Sequence, residues 1–234
     1  MSDYLLMVHQ QPNPPPVSPA EQSHHLQAIT AFHRQLAHAG VLRDAERLRP
    51  TSEGKRVRRR KGDVMVENGP FGDDALSAYC LIDAPNLEQA AGRAREYPLL
   101  PGETCEVRPL LSGDVRDAKG DQPGKVFAFA VLSRAENEKA WIDVMDRIDA
   151  QTGDQFPADR FVGGVRLDAP GTGRRLSSAA GRPFVTDGPF LESKEVIGGL
   201  FFMRLPGMED AVRWAATTAF TQLGTLEIRE LWRS

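Results

Sequence analysis

The chain has 234 residues, 41 % of them apolar, and a formal net charge of −3, which are the values of an ordinary soluble protein. No run approaches the roughly 18 consecutive apolar residues that a membrane-spanning helix needs. Met1–Tyr4 has no basic segment followed by an apolar core, so no secretory signal is expected. The two cysteines, Cys80 and Cys105, form no ligand spacing and are predicted to be free thiols. We therefore expect a cytoplasmic protein without a membrane partner.

The first half opens with an apolar run, Tyr4–Val8, that predicts a buried strand. A helix is predicted to start after Ser18, which can act as its N-cap, with Pro19 at the first helical position. Glu21, three residues after the cap, would complete a capping box, and Gly40 is expected to end the helix. The apolar stripe of this helix is predicted to be Leu26, Ile29, Phe32 and Leu36.

The remaining elements follow the same order in both halves. In the first half, extended segments are predicted at residues 45–48, 56–60 and 64–67, then a strand at 76–82, a helix at 87–97 and a strand at 104–110. In the second half, the series is a strand at 125–132, a helix marked by Trp141, Val144, Met145 and Ile148, extended segments at 160–167 and 183–186, a strand at 196–205, a helix at 209–218 and a strand at 225–232.

A repeat relates the two halves. Asn68-Gly69-Pro70-Phe71 recurs as Asp187-Gly188-Pro189-Phe190, 119 residues later. From Leu76 onward the offset is 121 residues, and eight of the 35 aligned pairs are identical. The repeat predicts two tandem domains, at residues 1–111 and 125–234, joined by a linker at 112–124 that is rich in Gly, Asp and Lys.

The order strand, helix, strands, helix, strand predicts an α+β fold. Each domain is expected to be ferredoxin-like (βαββαβ), with two helices on one face of an antiparallel sheet. Because the other face of each sheet needs cover, the two sheets are expected to pack together as an internal pseudo-dimer.

One stretch carries a family resemblance. Asp187–Gly199 resembles the signature of the YCII-related family that carries the DGPF motif. The first half is similar to the same family at Ala39–Leu42, Leu48–Pro50, Gly54–Arg58 and Glu106–Pro109. The resemblance implies a fold of the dimeric α/β-barrel type. Members of the family are largely uncharacterised, some are encoded beside extracytoplasmic-function sigma factors, and proposals of activity rest on a His–Asp pair.

The repeated turn offers the first candidate residue. Asp187 fits a turn, where it can cap backbone N–H groups, or alternatively a cleft, where its carboxylate would act as acid, base or ligand. The first copy has Asn68, which caps equally well but exchanges no proton near neutral pH. Glu192, Lys194 and Glu195 follow the second turn. Lys194 could bind an anionic group or keep Asp187 ionised, or the three could form a solvated strand entrance.

The last strand of each half offers a second set. Thr225, Glu227 and Arg229 share one strand face by their period of two, as do their counterparts Thr104, Glu106 and Arg108. Glu227 and Arg229 could line a cavity between stacked sheets and bind a ligand, or they could form a cross-strand ion pair.

All five histidines lie in the first 38 residues. His9, His25 and His33 are the candidates for a functional role, and His25 is the one selected as a catalytic residue because its helical spacing from Phe32 turns it toward the sheet. The resemblance places the family's His nearer the middle of the first helix, where this chain has Ile29. The His–Asp pair therefore does not carry over directly. No spacing indicates a metal or cofactor site.

Residues 55–61 hold six positive charges. This run could contact phosphates, but it has no interleaved aromatic residues and also fits an edge strand that charge protects from aggregation. Nucleic-acid binding is therefore disfavoured.

Two functions remain open. The first is a small polar molecule bound in the second domain by Asp187, Glu192, Lys194, Glu227 and Arg229, with acid–base chemistry. The second is a non-catalytic interaction module in a sigma-factor pathway. Whether the chain is an enzyme stays open, and unpaired edge strands leave room for a homo-oligomer.

Overall fold

The computed structural model describes residues 2–72, 74–115, 124–133, 142–143, 146–147, 156–157, 159–179, 182–187 and 195–232. At 114–115, 178–179, 182–187 and 223, only the backbone is described. The chain divides into two compact units, each made of three separate segments. Unit 1 contains Met1–Arg47, Gly72–Leu110 and Thr172–Gly188, and unit 2 contains Leu48–Phe71, Leu111–Gly171 and Pro189–Ser234.

Unit 1 is built on an antiparallel sheet. Its strands are β1 (Ser2–Gln10), β2 (Leu42–Arg47), β5 (Ala75–Ala84), β6 (Glu103–Val115, as far as Leu110), β9 (Arg174–Ala179) and β10 (Arg182–Asp187). Their order is β2-β5-β1-β6-β9-β10. Helices α1 (Pro19–His38) and α2 (Leu87–Ala94) belong to the same unit. The core packs Ile29 and Phe32 of α1 against the apolar face that includes Leu6, Cys80 and Val107.

Unit 2 has a second antiparallel sheet. Its strands are β3 (Lys55–Arg60), β4 (Asp63–Asn68), β7 (Lys125–Ser133), β8 (Phe161–Leu167), β11 (Val196–Leu205) and β12 (Thr225–Glu230). Their order is β8-β11-β7-β12-β3-β4. Helices α3 (Met208–Thr217) and α4 (Phe220–Leu223) follow β11. The predicted α+β class with antiparallel sheets is thus confirmed.

Each unit contains one hairpin from the other half of the chain. The β3–β4 hairpin of the first half pairs with β12, where Arg56 lies opposite Glu227. The β9–β10 hairpin of the second half pairs with β6, where Arg175 lies opposite Glu106. The compact units are therefore not the same residues as the repeat halves, and the domain bounds 1–111 and 125–234 stay a prediction about the repeat. Of the predicted linker, 112–115 continue β6 and 116–123 lie outside the described residues.

Helix α1 begins as its sequence predicts. The Ser18 backbone N–H donates to Glu21 Oε2 at 2.9 Å, and the Glu21 N–H donates to Ser18 Oγ at 3.2 Å. The capping box therefore satisfies N–H groups that have no partner within the helix. Ile29, Phe32 and Leu36 are buried as predicted, whereas the predicted stripe residue Leu26 is 39 % exposed.

One strand was missed. Strand β9 has the sequence RRLSSA, and its single large apolar residue gives no strand pattern from the sequence alone. The predicted helix around Trp141–Ile148 lies largely outside the described residues, which include only 142–143 and 146–147 there.

The first-copy turn is held by close backbone contact. A Cβ at Gly69 would lie 1.7 Å from the Thr51 carbonyl oxygen, so this position has no room for a side chain. Asn68, just before it, accepts a 2.6 Å hydrogen bond from Lys55 Nζ across the hairpin. Phe71, just after it, is buried in unit 2. These contacts agree with a conformational role for the first copy of the motif.

Two further predictions can be compared with the described residues. Cys80 and Cys105 are buried and not joined in a disulfide, as expected. Burial raises the pKa of both thiols, which keeps them protonated near neutral pH. In the part of the chain that the structure describes, no helix is both long and apolar enough to span a membrane.

Candidate functional site

Buried charges gather beside the hairpin in each unit. The Glu227 cluster of unit 2 consists of Arg56, Glu195, Glu227 and Arg229. The Glu106 cluster of unit 1 consists of His9, Glu106, Arg108 and Arg175. Both clusters arise because one strand places Glu and Arg two residues apart on one face, and the hairpin brings a second Arg opposite the Glu.

The Glu227 cluster is closely hydrogen-bonded. Arg56 donates to Glu227 Oε2 from Nε at 3.0 Å and from Nη2 at 2.7 Å. Arg229 Nη1 donates to Glu227 Oε1 at 3.0 Å, and its Nε donates to the Arg49 carbonyl oxygen at 2.6 Å. The Arg56 guanidinium carbon also lies 4.2 Å from the centre of the Phe71 ring. Phe71, which follows Gly69 and Pro70 in the first copy of the motif, thus packs against the Glu227 cluster.

These contacts describe an ion-pair network between strands. Both carboxylate oxygens of Glu227 accept hydrogen bonds from buried guanidinium groups, which is the condition under which a buried charge is tolerated. Burial lowers the pKa of Arg229, while Glu227 acts in the opposite direction. The cross-strand ion pair weighed from the sequence is present, and the ligand-binding role of Glu227 and Arg229 stays a prediction.

The Glu106 cluster contains the only histidine that is buried among the described residues. His9 Nε2 lies 3.7 Å from Glu106 Oε2, and Arg175 Nη2 donates to the same oxygen at 3.2 Å. Arg108 Nε lies 3.0 Å from Glu106 Oε1. Burial lowers the pKa of His9 to about 4, against the opposing effect of Glu106, so His9 is neutral at pH 7.

Two opposing effects act on the pKa of Glu106. Burial raises the pKa of its carboxyl, but Arg108, His9 and Arg175 together lower it further, so the net shift is downward. A neutral imidazole next to an ionised, arginine-paired carboxylate can hold or pass a proton, which makes this cluster chemically more versatile than its counterpart.

Of the two selected catalytic residues, the structure describes the side chain of His25 but not that of Asp187. His25 is half-buried on α1, where burial and Arg47 lower its pKa and the Pro98 backbone acts in the opposite direction. Asp187 ends β10, opposite Arg174, and its side chain lies outside the described residues. Glu192 and Lys194 lie outside them as well. Their roles stay predictions.

Unit 2 also has a cavity of about 280 Å³ that is open to solvent on one side. We call it the Phe cavity, because four of its lining residues are Phe156, Phe161, Phe201 and Phe220. The rings contact one another, with 4.5 Å between the centres of Phe156 and Phe161 and 5.0 Å between those of Phe201 and Phe220. Val131, Val165 and Leu200 add apolar surface, and Gly113, Gly164, Gly198 and Gly199 line it with backbone.

Arg166 provides the charged group of this lining, and Ser112 provides a hydroxyl. Arg166 Nη2 donates to Asp146 Oδ1 at 2.5 Å, and its side chain is 20 % exposed. The lining shares Val131 and Phe201 with the core that holds Leu226 and Ile228. Glu227 and Arg229 alternate with those two residues along β12 and therefore face the opposite side of the sheet. The Phe cavity and the Glu227 cluster are thus separate sites.

Sequence reasoning did not find the Phe cavity. All eleven phenylalanines except Phe32 and Phe71 follow residue 120, and this uneven distribution is the signal that could have indicated an aromatic site in the second half. Within the described ranges, no group of three or more His, Cys, Asp and Glu side chains is close enough to hold a metal ion.

Comparison with known proteins identifies the family. The model of the YCII-related domain matches residues 126–234. A protein of Rhizobium meliloti strain 1021 is 32 % identical over 97 residues, which is 40 % of this chain and 78 % of the relative. The chain belongs to the YCII-related family. The Rhizobium relative is itself uncharacterized, so membership of the YCII-related family assigns no activity.

Solved structures similar to this YCII-related chain are much more distant. A proposed chlorite dismutase has 8 % identity and a TM-score of 0.39, with 100 % of this chain and 96 % of that chain covered. A proposed monooxygenase of Fusobacterium nucleatum has 8 % identity and a TM-score of 0.43, with 98 % and 91 % covered. Neither likeness says what the YCII-related chain binds.

Proposed function

We propose that the second half of the chain binds a small molecule in the Phe cavity. The observation that carries the proposal is an open cavity of about 280 Å³ that is lined by four phenylalanines and one arginine. An apolar cavity with a few converging polar groups is the usual form of a small-molecule site.

The lining indicates the chemical class of the ligand. The volume is slightly below the range for drug-sized ligands, so it suits a body of about one ring. Phe156, Phe161 and Phe201 would stack against a flat apolar body. Arg166 would pair with a carboxylate at the polar end, because a guanidinium presents a planar fork of donors to it. The proposed ligand class is therefore an aromatic carboxylate, which is more apolar than the small polar molecule predicted from the sequence.

Acid–base chemistry is the less supported part of the proposal. The described lining residues include no Asp, Glu, His, Lys or Tyr that could exchange a proton. Asp187, Glu192 and Lys194 stay the candidates for proton exchange that the sequence predicts. Ligand binding without catalysis is the function that the geometry supports best.

Calorimetric titration with benzoate tests the site. We expect wild type to bind benzoate, and Arg166→Leu to weaken binding by about tenfold, the loss of one charge-assisted contact worth about 1.4 kcal/mol. Benzyl alcohol has the same ring without the charge. It should bind wild type more weakly than benzoate does, and its affinity should be equal for wild type and Arg166→Leu. Arg213→Leu is the matched control, since Arg213 pairs with Asp210 on the exposed surface of α3. No saturable binding to wild type at about 10 mM benzoate, or equal affinity in Arg166→Leu, would contradict the proposal.

A second candidate function is protein binding through β4. Among the strands that the structure describes, β4 pairs with β3 alone, and Val64, Met65 and Val66 are 39 %, 42 % and 45 % exposed. An unpaired apolar edge can accept a strand from another chain. The partner would be a sigma-factor pathway protein, as the family resemblance implies, or a second copy of this chain.

Sedimentation analysis tests the β4 proposal. Purified wild type would be mixed with candidate pathway proteins, and in parallel studied alone over a range of concentrations. Complex formation or self-association that Val66→Lys abolishes is the expected result, because a charge on the edge opposes strand pairing. Association that is unchanged in Val66→Lys would place the interface elsewhere.

A further inference from the structure

The Glu227 and Glu106 clusters share the same strand pairing and differ at two residue positions. Arg56 and Arg175 occupy equal register positions opposite Glu227 and Glu106. His9 lies between Leu76 and Thr104, just as Leu132 lies between their counterparts at 197 and 225. His9 therefore replaces Leu132. Ala75 pairs with Gln10 as Val196 pairs with Ser133, so Asp74, which precedes Ala75, is the counterpart of Glu195.

In the Glu227 cluster, charges balance and the fourth member is a carboxylate. Glu195 has a side chain only 11 % exposed, and its Oε2 lies 4.0 Å from Arg56 Nη1. Its Oε1 accepts a 3.3 Å hydrogen bond from the Thr225 hydroxyl. Two arginines thus face two glutamates.

In the Glu106 cluster, that second buried carboxylate is absent from the described residues. The counterpart Asp74 is one methylene shorter and is exposed. Thr104 Oγ1 and His9 Nε2 are both buried, and neither has a hydrogen-bond partner among the residues that the structure describes. Buried polar atoms without partners are uncommon because each one costs desolvation free energy.

We propose that the Glu106 cluster binds a small carboxylate from solution, in the place that Glu195 fills in the Glu227 cluster. Arg175 supplies the positive charge, as Arg56 does for Glu195. The Thr104 hydroxyl donates to the bound carboxylate, as Thr225 donates to Glu195. His9 donates its Nε2–H, which Leu132 cannot do. The site therefore selects a planar carboxylate, free or at the end of a larger molecule.

Binding is coupled to the ionisation of His9. The charges that act on the pKa of His9 are those of Glu106 and the exposed Asp74, which raise it, and those of Arg175 and Arg108, which lower it. A bound anion adds one more negative charge beside the imidazole, so it raises the pKa of His9 toward its ordinary value. By linkage, acetate binds more tightly as the pH falls toward that pKa.

Thermal unfolding with sodium acetate, compared with sodium chloride at equal ionic strength, tests the proposal. We expect acetate to raise the wild-type Tm above the chloride value, because a ligand of the native state alone stabilises it. Asp74→Glu supplies the missing carboxylate and should raise Tm without acetate while removing the acetate response. Asp74→Asn is the matched control and should keep the response.

A second variant keeps the test decisive if Asp74→Glu does not fold. Glu195→Asp shortens the side chain in the Glu227 cluster and should add a second, weaker acetate site that calorimetry counts. In wild type, the His9 signal in NMR should titrate at higher pH with acetate than with chloride. No acetate effect in wild type, an acetate effect that Asp74→Glu retains, or an equal effect of phosphate would each overturn the proposal. Arg166→Leu should leave the acetate response unchanged, which separates this site from the Phe cavity.

Discussion

Replacing Glu227 by Gln is expected to lower the free energy of unfolding by about 3–5 kcal/mol, the range for breaking a buried ion pair from one side. The amide keeps the shape of the side chain but removes its charge. Arg56 and Arg229 then remain buried with Glu195, 4.0 Å from Arg56, and with the weaker effect of Glu53 on Arg229. Urea unfolding followed by circular dichroism measures the effect.

The same strand provides a control for this prediction. Glu230 accepts a 2.8 Å hydrogen bond from Lys125, whose side chain is 54 % exposed, so Glu230→Gln should cost at most about 1 kcal/mol. Arg56→Met combined with Glu227→Gln should cost less than the sum of the single changes, because removing Arg56 relieves the excess positive charge. Equal costs for Glu227→Gln and Glu230→Gln would show that the Glu227 cluster contributes no more than a surface pair.

Acidification from pH 6.5 to pH 4 is expected to destabilise the wild-type protein through His9 by about 3 kcal/mol, at about 1.36 kcal/mol for each pH unit between the two pKa values. The folded pKa of about 4 lies below the ordinary 6.5. In this window the unfolded chain binds a proton at His9 and the folded chain does not, so stability falls as the pH falls. Above pH 6.5 and below pH 4, His9 makes no difference to the slope.

His9→Leu tests this directly because it copies Leu132 of the second half. The variant should lose the His9 contribution to the slope between pH 6.5 and 4. Glu106, whose pKa is lowered, should still cause a loss of stability at lower pH, as its carboxylate becomes protonated. His24→Gln, at an exposed position on α1, is the control. A wild-type profile that His9→Leu leaves unchanged would contradict a buried neutral imidazole.

Local signals in the sequence were sufficient for most elements of the fold. Ser18 and Glu21 determine the start of α1 through contacts three residues apart. The largely apolar run Val196–Leu205 predicts a buried strand in the middle of a sheet, and all ten of its residues are buried. The exchange of hairpins could not be predicted in this way. It depends on Arg56 meeting Glu227, 171 residues later, and no local pattern identifies that partner.

The candidate sites were predicted less well than the fold. Period-two spacing correctly put Glu227 and Arg229 on one face, but burial and the partner strand decide whether such residues bind a ligand or each other. His9 was named only as one of three candidate histidines, since its environment comes from β6 and β9. The Phe cavity brings together rings from 156 to 220, which approach one another only after folding.

Exchange of the β3–β4 and β9–β10 hairpins has a consequence for how the two copies can evolve. In an assembly of two identical single-domain subunits, every mutation would enter both clusters at once. Fusion of the copies into one polypeptide makes His9 and Leu132 independent genetic positions. The Glu106 cluster can then acquire new chemistry while the Glu227 cluster retains its ion pairs. Because both hairpins are part of one chain, their pairing does not depend on protein concentration.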